Sequence, residues 1–270
     1  MATYNGGRYL RQQIDSLLAQ TVGGWQLYVA DDGSTDDTMD ILADYACRHG
    51  NIHVARNMPP HGAMQNFMHL LATTSADYYM FCDQDDVWLP DKVEVTMGAM
   101  RRAEEQWPGE PVLVHTDLRV VDEQLHELHP SLWRETYVRP ELLSQMRYLG
   151  VQPFVTGCTA MVNASLRNVA LPCPQWALMH DAWLAMQAVR RGGHIVNVAQ
   201  PTMLYRQHGG NVVGATSARN HGWRQRITTL RRLWADNCRL YDFARRCGYG
   251  SPLKYAFFKL RYHFLARRGQ

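Results

Sequence analysis

The sequence has little of what would place the protein in a membrane or in an oxidising compartment. Its six cysteines are scattered and include no C-x-x-C pair, which argues against a zinc ribbon or a disulfide framework. No apolar run approaches the roughly 18 residues of a transmembrane helix. The first residues carry neither the basic nor the apolar region of a signal peptide. We therefore expect a cytoplasmic protein.

Charge is distributed unevenly along the 270 residues, whose hydrophobic fraction of 46% is typical of a folded protein. Residues 219–270 contain 13 Lys and Arg against two acidic residues, a net charge of +11, whereas the preceding residues carry a net charge of −8. We predict a main domain over 1–218 and a basic helical extension over 219–270. Basic segments of this kind contact anionic membranes or other polyanions, although a solvated helical face has the same composition.

Helical and extended patterns alternate in the first part of the chain. Leu10, Ile14 and Leu17 recur with helical spacing, and Ser34-Thr-Asp-Asp37 has the form of a capping box that opens a helix. The predicted order is helix 7–20, strand 25–30, helix 34–48, strand 52–56, helix 64–72, strand 78–82 and helix 90–105. This alternation indicates right-handed crossovers and a mainly parallel sheet in an α/β fold.

The pattern changes after Glu110. Strands are predicted at 112–116, 154–162 and 194–198, with a helix over 182–189 that begins at His180-Asp181. Two basic and aromatic helices follow from Trp223, broken near 248–252.

Acidic residues follow two of the predicted strands directly. Asp31-Asp32 and the cluster Asp83-Gln84-Asp85-Asp86 each lie just beyond a strand end, and parallel sheets bind ligands at that edge. Carboxylates at this spacing can hold Mg²⁺ or Mn²⁺ against a diphosphate. The alternative is an acidic loop that caps the following helix, which is the role we assign to Asp86. The sequence predicts one site that both acidic segments share.

Several motifs occur together in a fixed order. They are Met1-Ala-Thr-Tyr-Asn-Gly6, Ala30-Asp-Asp-Gly-Ser-Thr-Asp36, Phe81-Cys-Asp-Gln-Asp-Asp-Val-Trp-Leu-Pro-Asp-Lys92, Val155-Thr-Gly-Cys158, His180-Asp181 and Tyr205-Arg-Gln-His-Gly-Gly-Asn-Val-Val-Gly214. In this order they resemble the family 2 glycosyltransferases of the Rossmann-like GT-A fold. Within that family they are most similar to the rhamnosyltransferase-like enzymes of bacterial surface-polysaccharide biosynthesis.

The resemblance implies a nucleotide-sugar donor, a dTDP- or UDP-sugar, and a glycan or lipid-linked glycan acceptor, with no nucleic-acid partner. It assigns contacts with the nucleobase, its ribose or the sugar to five residues: Ala2, Thr3, Tyr4, Asp32 and Asp83. Asp32 would accept a hydrogen bond from N3–H of the pyrimidine, and Asp83 would lie near the ribose.

The resemblance also implies a metal site and a catalytic base. Asp85 would bind the metal that bridges the diphosphate, and His208 would complete its shell, which favours Mn²⁺ over Mg²⁺ because imidazole suits the softer ion. Asp181 corresponds to the general base, and a position at a helix start favours the ionised carboxylate. From the residues alone, Asp181 could be a helix cap and His208 a structural histidine. Arg8 and Arg206 are candidates to neutralise a phosphate, and Trp133 and Trp176 to stack on sugar rings.

One segment of the family pattern is missing. Family members carry a hydrophobic strand before the Ala-Thr-Tyr-Asn segment, but here that segment follows Met1 directly. Because this first β-strand is central in such a sheet, its loss leaves neighbouring backbone edges without partners. We expect the natural chain to begin further upstream.

The predicted function is inverting, metal-dependent transfer of a sugar, with L-rhamnose from dTDP-rhamnose as the candidate, at the inner face of the cell membrane. A sugar-phosphate nucleotidyltransferase is one alternative, although Asn5-Gly-Gly-Arg8 is a poor phosphate loop. A glycoside hydrolase would use paired carboxylates without a nucleotide. A non-catalytic nucleotide- or glycan-binding module is the third alternative.

Overall fold

A computed structural model describes residues 1–56, 62–208 and 223–267. Gly209 to Gly214, the second half of the last motif, and Arg219, the start of the predicted basic extension, lie outside the described residues. Within the described part of the chain the strands form two sheets, a three-stranded one and a six-stranded one.

The three-stranded sheet is parallel and is built from the N-terminal residues. Its order is β1-β2-β3, and its strands are β1 (Ala2–Thr3), β2 (Leu27–Asp31) and β3 (Ile52–Arg56). The crossover helices are α1 (Gly7–Leu18) and α2 (Thr38–Arg48), and α3 (Ala63–Thr73) follows β3. Leu10 and Ile14 of α1 are fully buried and pack with Val29 of β2, as the apolar spacing predicted. The expected parallel α/β arrangement is confirmed here.

The second sheet is mixed. Its strands are β4 (Tyr78–Met80), β5 (Val87–Trp88), β6 (Val112–Val121), β7 (Glu127–His129), β8 (Ala160–Asn163) and β9 (His194–Arg206). The order is β4-β8-β6-β9-β5, with β7 paired to β6. Strands β6 and β9 run parallel, and the other pairs are antiparallel. The long β6–β9 pairing joins β4 and β8 on one side of the sheet to β5 on the other.

Seven helices connect and cover this sheet within the described residues. They are α4 (Lys92–Gln106), α5 (Leu132–Glu135), α6 (Pro140–Leu143), α7 (Met146–Leu149), α8 (Ala164–Ala170), α9 (His180–Arg190) and α10 (Trp223–Arg246), and the last helix of the chain is α11 (Pro252–Arg267). The two C-terminal helices and the break between them agree with the sequence prediction. No helix in the described ranges is both long and apolar enough to cross a membrane.

Two local predictions were wrong. Ser34 does not cap α2, because its hydroxyl donates to Asp31 and accepts from the backbone N–H of Asn5; the helix instead begins after Asp37. The strand expected over 154–162 is extended only from Ala160 onward, since residues Gly157–Thr159 form a 3₁₀ turn. In both places a polar loop contact replaces the regular backbone pattern.

The C-terminal helices share a hydrophobic core with the main body. Phe243 and Tyr249 are buried in the same cluster as Leu149 and Trp183. Tyr249 donates its hydroxyl proton to the carbonyl oxygen of Arg147 at 2.7 Å. Gly150 permits this contact, because a Cβ there would lie 2.1 Å from the Tyr249 ring. The boundary near residue 218 stays a prediction, and the shared core indicates cooperative folding across it.

Replacing Tyr249 tests that cooperativity. Tyr249→Ala removes a buried ring and should lower the free energy of unfolding by roughly 3–5 kcal/mol. Because the core is shared, denaturant unfolding monitored by circular dichroism should remain one transition, shifted as a whole. Leu253→Ala on the exposed side of α11 is the control and should change stability by less than about 0.5 kcal/mol. A separate early transition, with the main one unmoved, would show an independent C-terminal unit.

Candidate active site

A cavity of about 760 Å³ opens where β1, β2 and β4 end. It is lined by most of the residues that the sequence assigned to the site: Ala2, Thr3, Tyr4, Asp32, Asp83, Asp85 and Asp181. His208 reaches the same place through its contact with Asp85. Residues far apart in the chain therefore meet in one cavity, while their individual roles remain predictions.

Asp31 and Asp32 divide into a structural and a cavity-facing residue. Asp31 is fully buried and accepts hydrogen bonds from Thr3 Oγ1 at 3.0 Å and from the backbone N–H groups of Gly33 and Ser34. It thus holds the turn after β2. Asp32 lines the cavity, where its Oδ2 accepts from the backbone N–H of Gly62 at 2.7 Å. The turn chemistry of Asp31 fixes the direction of Asp32.

Gln84 connects the acidic loop to the N-terminal segment. Its Oε1 accepts from the backbone N–H of Tyr4 at 2.9 Å, and its Nε2 donates to the carbonyl oxygen of Tyr4 at 3.0 Å. Gly6 leaves room for this side chain, because a Cβ there would lie 2.2 Å from Gln84 Oε1. The sequence analysis gave Gln84 no role; its position between two acidic residues was the available signal. The side-chain amide of Gln84 thus bonds to both backbone groups of Tyr4, as a residue of a neighbouring β-strand would.

Asp83 lies half-buried at the cavity, among other acidic groups. Burial is the main cause that raises the pKa of its carboxyl group to about 7, and the negative charges of Asp85 and Asp181 raise it further. Asp83 and Asp181, from two distant segments, thus line the same cavity near enough for their charges to interact. A group that binds there must therefore either carry positive charge or leave one carboxyl protonated.

Asp85 and His208 form a pair beside this group that is mostly buried but still reached by solvent. Nε2 of His208 lies 2.8 Å from Oδ2 of Asp85, and the two side chains are 14% and 17% exposed. The imidazole also packs against the ring of Tyr9, with 5.0 Å between ring centroids. The contact holds an imidazole and a carboxylate together at the edge of the cavity.

Asp86 and Arg206 do not have the roles that the sequence suggested. Asp86 is fully buried, its Oδ1 accepts from the backbone N–H of Arg206, and α4 begins after Asp91 instead. Burial, with Asp83 and Asp85 nearby, raises the pKa of the Asp86 carboxyl well above its usual range. Asp86 is therefore a buried anchor and not a helix cap.

Arg206 supports the acidic loop from below. Its guanidinium donates to the carbonyl oxygens of Asp85 and Glu123 and to Gln12 Oε1, at 2.8, 2.6 and 2.6 Å. The guanidinium also lies over the Tyr9 ring, 4.5 Å from its centroid. Because the side chain is buried by these contacts, it is a scaffold residue and not a phosphate ligand. Arg8, the other candidate, is exposed and pairs with Glu123 at 2.7 Å.

Asp181 lies in the first turn of α9 on the opposite side of the cavity. Its Oδ2 accepts from the backbone N–H of Gly157 at 3.0 Å, and its Oδ1 from Ala182 N–H. Gly157 is required for this approach, because a Cβ there would lie 2.3 Å from Nε2 of His180. The two backbone N–H groups fix the direction of the Asp181 carboxylate at the cavity.

His180 forms part of the floor beside Asp181. It is buried between Phe67 and Phe81, with ring centroids 4.4 and 4.9 Å away. Burial lowers the pKa of its imidazole, so the ring is neutral at physiological pH. Its place directly before Asp181 in the sequence was the available signal for this contact.

An apolar wall completes the cavity and was not predicted. It consists of Leu132, Val138, Phe154, Val155, Leu178 and Met179. Neither tryptophan considered as a sugar platform lines the cavity. Trp133 is buried against His115, and Trp176 packs against Trp183.

The sequence model of glycosyl transferase family 2 matches residues 1–168, more than half of the chain. This chain belongs to family 2 of the glycosyltransferases. Membership confirms the resemblance drawn from the motifs and sets aside the nucleotidyltransferase, hydrolase and non-catalytic alternatives. A similar curated protein is the dTDP-rhamnosyl transferase RfbG of Shigella flexneri, which is 26% identical over 267 residues, 88% of this chain and 85% of that protein.

Solved structures establish the fold of this family 2 glycosyltransferase. The crystal structure of S. aureus TarS 1–349 in complex with UDP-GlcNAc superposes with a TM-score of 0.58 at 16% identity, over 87% of this chain and 64% of that one. The mannosyltransferase PcManGT from Pyrobaculum calidifontis, in complex with GDP-Man and Mn²⁺, superposes with a TM-score of 0.56 at 16% identity, over 98% and 81% of the chains. The predicted GT-A fold is confirmed, and this chain spans less than two thirds of the TarS structure.

The side chains at the cavity fit a divalent cation. Asp85 and His208 offer a carboxylate oxygen and an imidazole nitrogen side by side, a donor set suited to Mn²⁺ and usable by Mg²⁺. A second grouping, Asp83, Asp86 and Cys158, has ligand atoms within 4.8 Å of one another. Asp86 and Cys158 are fully buried there, so the Asp85–His208 pair, which solvent still reaches, is the better match for an ion shared with a ligand.

Gln84→Leu tests the connection between the acidic loop and Tyr4. The change keeps the side-chain size but removes two hydrogen bonds, which together contribute about 2 kcal/mol. Nucleotide affinity measured by isothermal titration calorimetry should fall roughly tenfold or more. Gln106→Leu, at the exposed end of α4, is the matched control and should bind as the wild type does. Equal affinities for both variants would show that the Gln84 amide does not position the N-terminal segment.

Asp83→Asn tests the electrostatics of the cavity in chelator-treated protein. Because the folded-state pKa of Asp83 is raised to about 7, the folded protein keeps a proton on Asp83 between about pH 4 and 7 that the unfolded chain has released. The free energy of unfolding therefore falls as the pH rises through this range. The variant should therefore gain melting temperature relative to the wild type, by at least about 2 °C at pH 7.5, and the gain should shrink towards pH 5.

Asp242→Asn is the control for this pH series. Hydrogen bonds from the side chains of Arg245 and Arg246 lower the pKa of Asp242, and both guanidinium groups stay charged throughout the range, so its contribution to stability is constant above about pH 5. The difference in melting temperature between this variant and the wild type should not change between pH 5 and 7.5. A gain for Asp83→Asn that is equally independent of pH would contradict the raised pKa.

Proposed function

We propose that this family 2 glycosyltransferase transfers L-rhamnose from dTDP-rhamnose, with inversion, to a lipid-linked glycan. The observation that carries the proposal is the meeting of Asp32, Asp83, Asp85 and Asp181 in one cavity. These carboxylates come from three separate segments, and a donor, a cation and an acceptor would each need one of them. The similarity to a dTDP-rhamnosyl transferase over 88% of the chain supports the choice of sugar and nucleotide.

The nucleotide end of the donor would bind at the first strands. The Ala2-Thr3-Tyr4 segment and Asp32 line that side of the cavity, and Asp32 Oδ2 is held there by Gly62 N–H. In this position its carboxylate would accept from N3–H of thymine or uracil, whereas cytosine has no proton on N3. Asp83 would accept from a ribose hydroxyl, a contact that stabilises its ionised form.

Asp85 and His208 would hold Mn²⁺ or Mg²⁺ at the diphosphate. When bound, the cation neutralises negative charge on the departing nucleoside diphosphate. Its positive charge would also offset the repulsion that raises the pKa of Asp83. Donor binding and metal binding should therefore strengthen each other.

Asp181 would act as the general base. Its carboxylate takes the proton from the acceptor hydroxyl while that oxygen forms a bond to the anomeric carbon. The bond from the anomeric carbon to the diphosphate oxygen breaks, and dTDP leaves with both electrons. Attack on the face opposite the leaving group inverts the anomeric configuration. Asp181 and Asp83 line the same cavity, and the sugar would bind in the space that they line.

The acceptor would enter along the apolar wall. Leu132, Val138 and Leu178 offer a surface for the non-polar faces of sugar rings. A lipid-linked acceptor requires the enzyme to work at the inner face of the cell membrane. The net charge of +11 over residues 219–270 supports contact with anionic lipid there.

Asp181→Asn separates donor binding from turnover. In a coupled assay with dTDP-rhamnose and Mn²⁺, kcat should fall about 100-fold or more, because a general base contributes 10²–10⁴ to the rate. The donor-induced rise in melting temperature should stay close to that of the wild type. Asp40→Asn, a change in the first turn of α2, is the matched control and should keep full turnover.

Two outcomes would contradict the assignment. Unchanged kcat for Asp181→Asn would remove this residue as the base. A melting-temperature series that responds to GDP-sugars and not to dTDP- or UDP-sugars would contradict pyrimidine recognition by Asp32. The same series with Mn²⁺, Mg²⁺ and chelator tests the metal, since His208→Ala should reduce the Mn²⁺ response.

A further inference from the structure

Helix α11 has apolar residues on two opposite sides. On the inner side, Tyr255 and Tyr262 are buried in the main core. On the outer side, Leu253, Phe257 and Leu260 are 84%, 57% and 73% exposed. Their spacing of four and three residues places these three side chains in one row along the helix. We call this row the outer stripe.

The outer stripe is unusual for a surface helix. A helix that packs on a protein core normally presents polar residues on its other side. Single exposed apolar residues are common, but adjacent ones rimmed by polar residues mark an interaction surface. Lys254 and Arg261, both exposed, flank the stripe.

Charge decides between possible occupants of this surface. Helix α11 contains four Lys and Arg and no acidic residue, and residues 219–270 carry a net charge of +11. A second copy of the chain would bring the same positive segment against the first and repel it. An anionic bilayer supplies both an apolar interior for the stripe and negative headgroups for its basic flanks.

We propose that the outer stripe inserts into the interface of an anionic membrane, with α11 lying parallel to the bilayer surface. Leu253, Phe257 and Leu260 enter the boundary between headgroups and acyl chains, while Lys254 and Arg261 contact lipid phosphates. This goes beyond the basic charge of the segment, because it names the residues that insert and fixes the side of the protein that faces lipid.

The inner side of α11 contacts Arg139, the residue next to the apolar wall of the cavity. The backbone N–H of Arg139 donates to Tyr262 Oη at 3.3 Å, and the Arg139 guanidinium donates to the carbonyl oxygen of Leu265. Arg139 directly follows Val138, which lines the cavity. The membrane would therefore lie about one helix diameter, roughly 10 Å, from the apolar wall. This placement, which rests on the proposed function, suits an acceptor whose lipid stays in the bilayer.

Vesicle flotation tests the proposal on the full chain. The vesicles contain either phosphatidylcholine alone or phosphatidylcholine with 30% phosphatidylglycerol as the probe. The variant Phe257→Ser with Leu260→Ser leaves the charge unchanged, and Leu128→Ser alters a residue that is 50% exposed on β7 as the matched control. The wild type and the control should float with anionic vesicles, and the stripe variant should partition at least tenfold less.

A second variant separates insertion from charge. Lys254→Gln with Arg261→Gln should weaken binding to anionic vesicles and make it less dependent on salt. Wild-type protein that stays with the unbound fraction, or a stripe variant that floats as the wild type does, would overturn the proposal. So would a wild-type dimer by light scattering that the stripe variant abolishes, because a second copy would then cover the stripe.

Donor binding in solution distinguishes this proposal from the proposed function. The melting-temperature response to dTDP-rhamnose should be equal for wild type and stripe variant without vesicles. If the wild type floats but shows no donor response, the proposed function fails and the membrane face stands. If donor response is normal but flotation is absent, only the membrane face fails.

Discussion

Mutual repulsion among carboxylates removed from water is the constraint around which this site is organised. Asp83, Asp85 and Asp86 fall within four residues, and Asp181 lines the same cavity as Asp83 and Asp85 from another segment. Burial raises the pKa of Asp83 and of Asp86, and the neighbouring carboxylates raise it further. The protein therefore keeps Asp86 fully buried with a raised pKa and supports the loop with Arg206. Asp85 and Asp83 are left beside the cavity, where a cation and a donor would offset their charge.

Small residues and backbone contacts give this site its shape. Gly6 admits the Gln84 amide, and Gly157 lets the loop before β8 reach Asp181. The Asp31 carboxylate accepts hydrogen bonds within its own turn, and Asp32 is the residue that lines the cavity. In each case a supporting residue fixes the position of a side chain or segment that lines the cavity. The residues that line the cavity therefore depend on structural residues that contact them or precede them in the chain. Such dependence explains why conservative changes at the supporting positions should alter binding.

The C-terminal helices connect this chemistry to the protein surface. Tyr249 and Tyr262 anchor them in the core that carries α7 and α9, and Arg139 links α11 to the segment that forms the apolar wall. The outer stripe then sets the orientation of the cavity relative to lipid. The part of the basic segment that contains Phe243, Tyr249, Tyr255 and Tyr262 therefore belongs to the folded body, because these aromatic residues are buried in the main core.

The sequence by itself determined the fold class and the family, and it picked out residues that meet at one cavity. Helical spacing at Leu10 and Ile14, strand ends followed by aspartates, and ordered motifs are local signals, and they located Asp32, Asp83, Asp85 and Asp181 correctly at one cavity. Only the tertiary structure decided which acidic residues support the loop and which line the cavity. Asp86 was a candidate helix cap and Arg206 a candidate phosphate ligand in the sequence, but both are buried and bonded to each other, while the apolar wall carried no local signal. Burial and long-range hydrogen bonding decide such roles, and neither is encoded in the spacing of neighbouring residues.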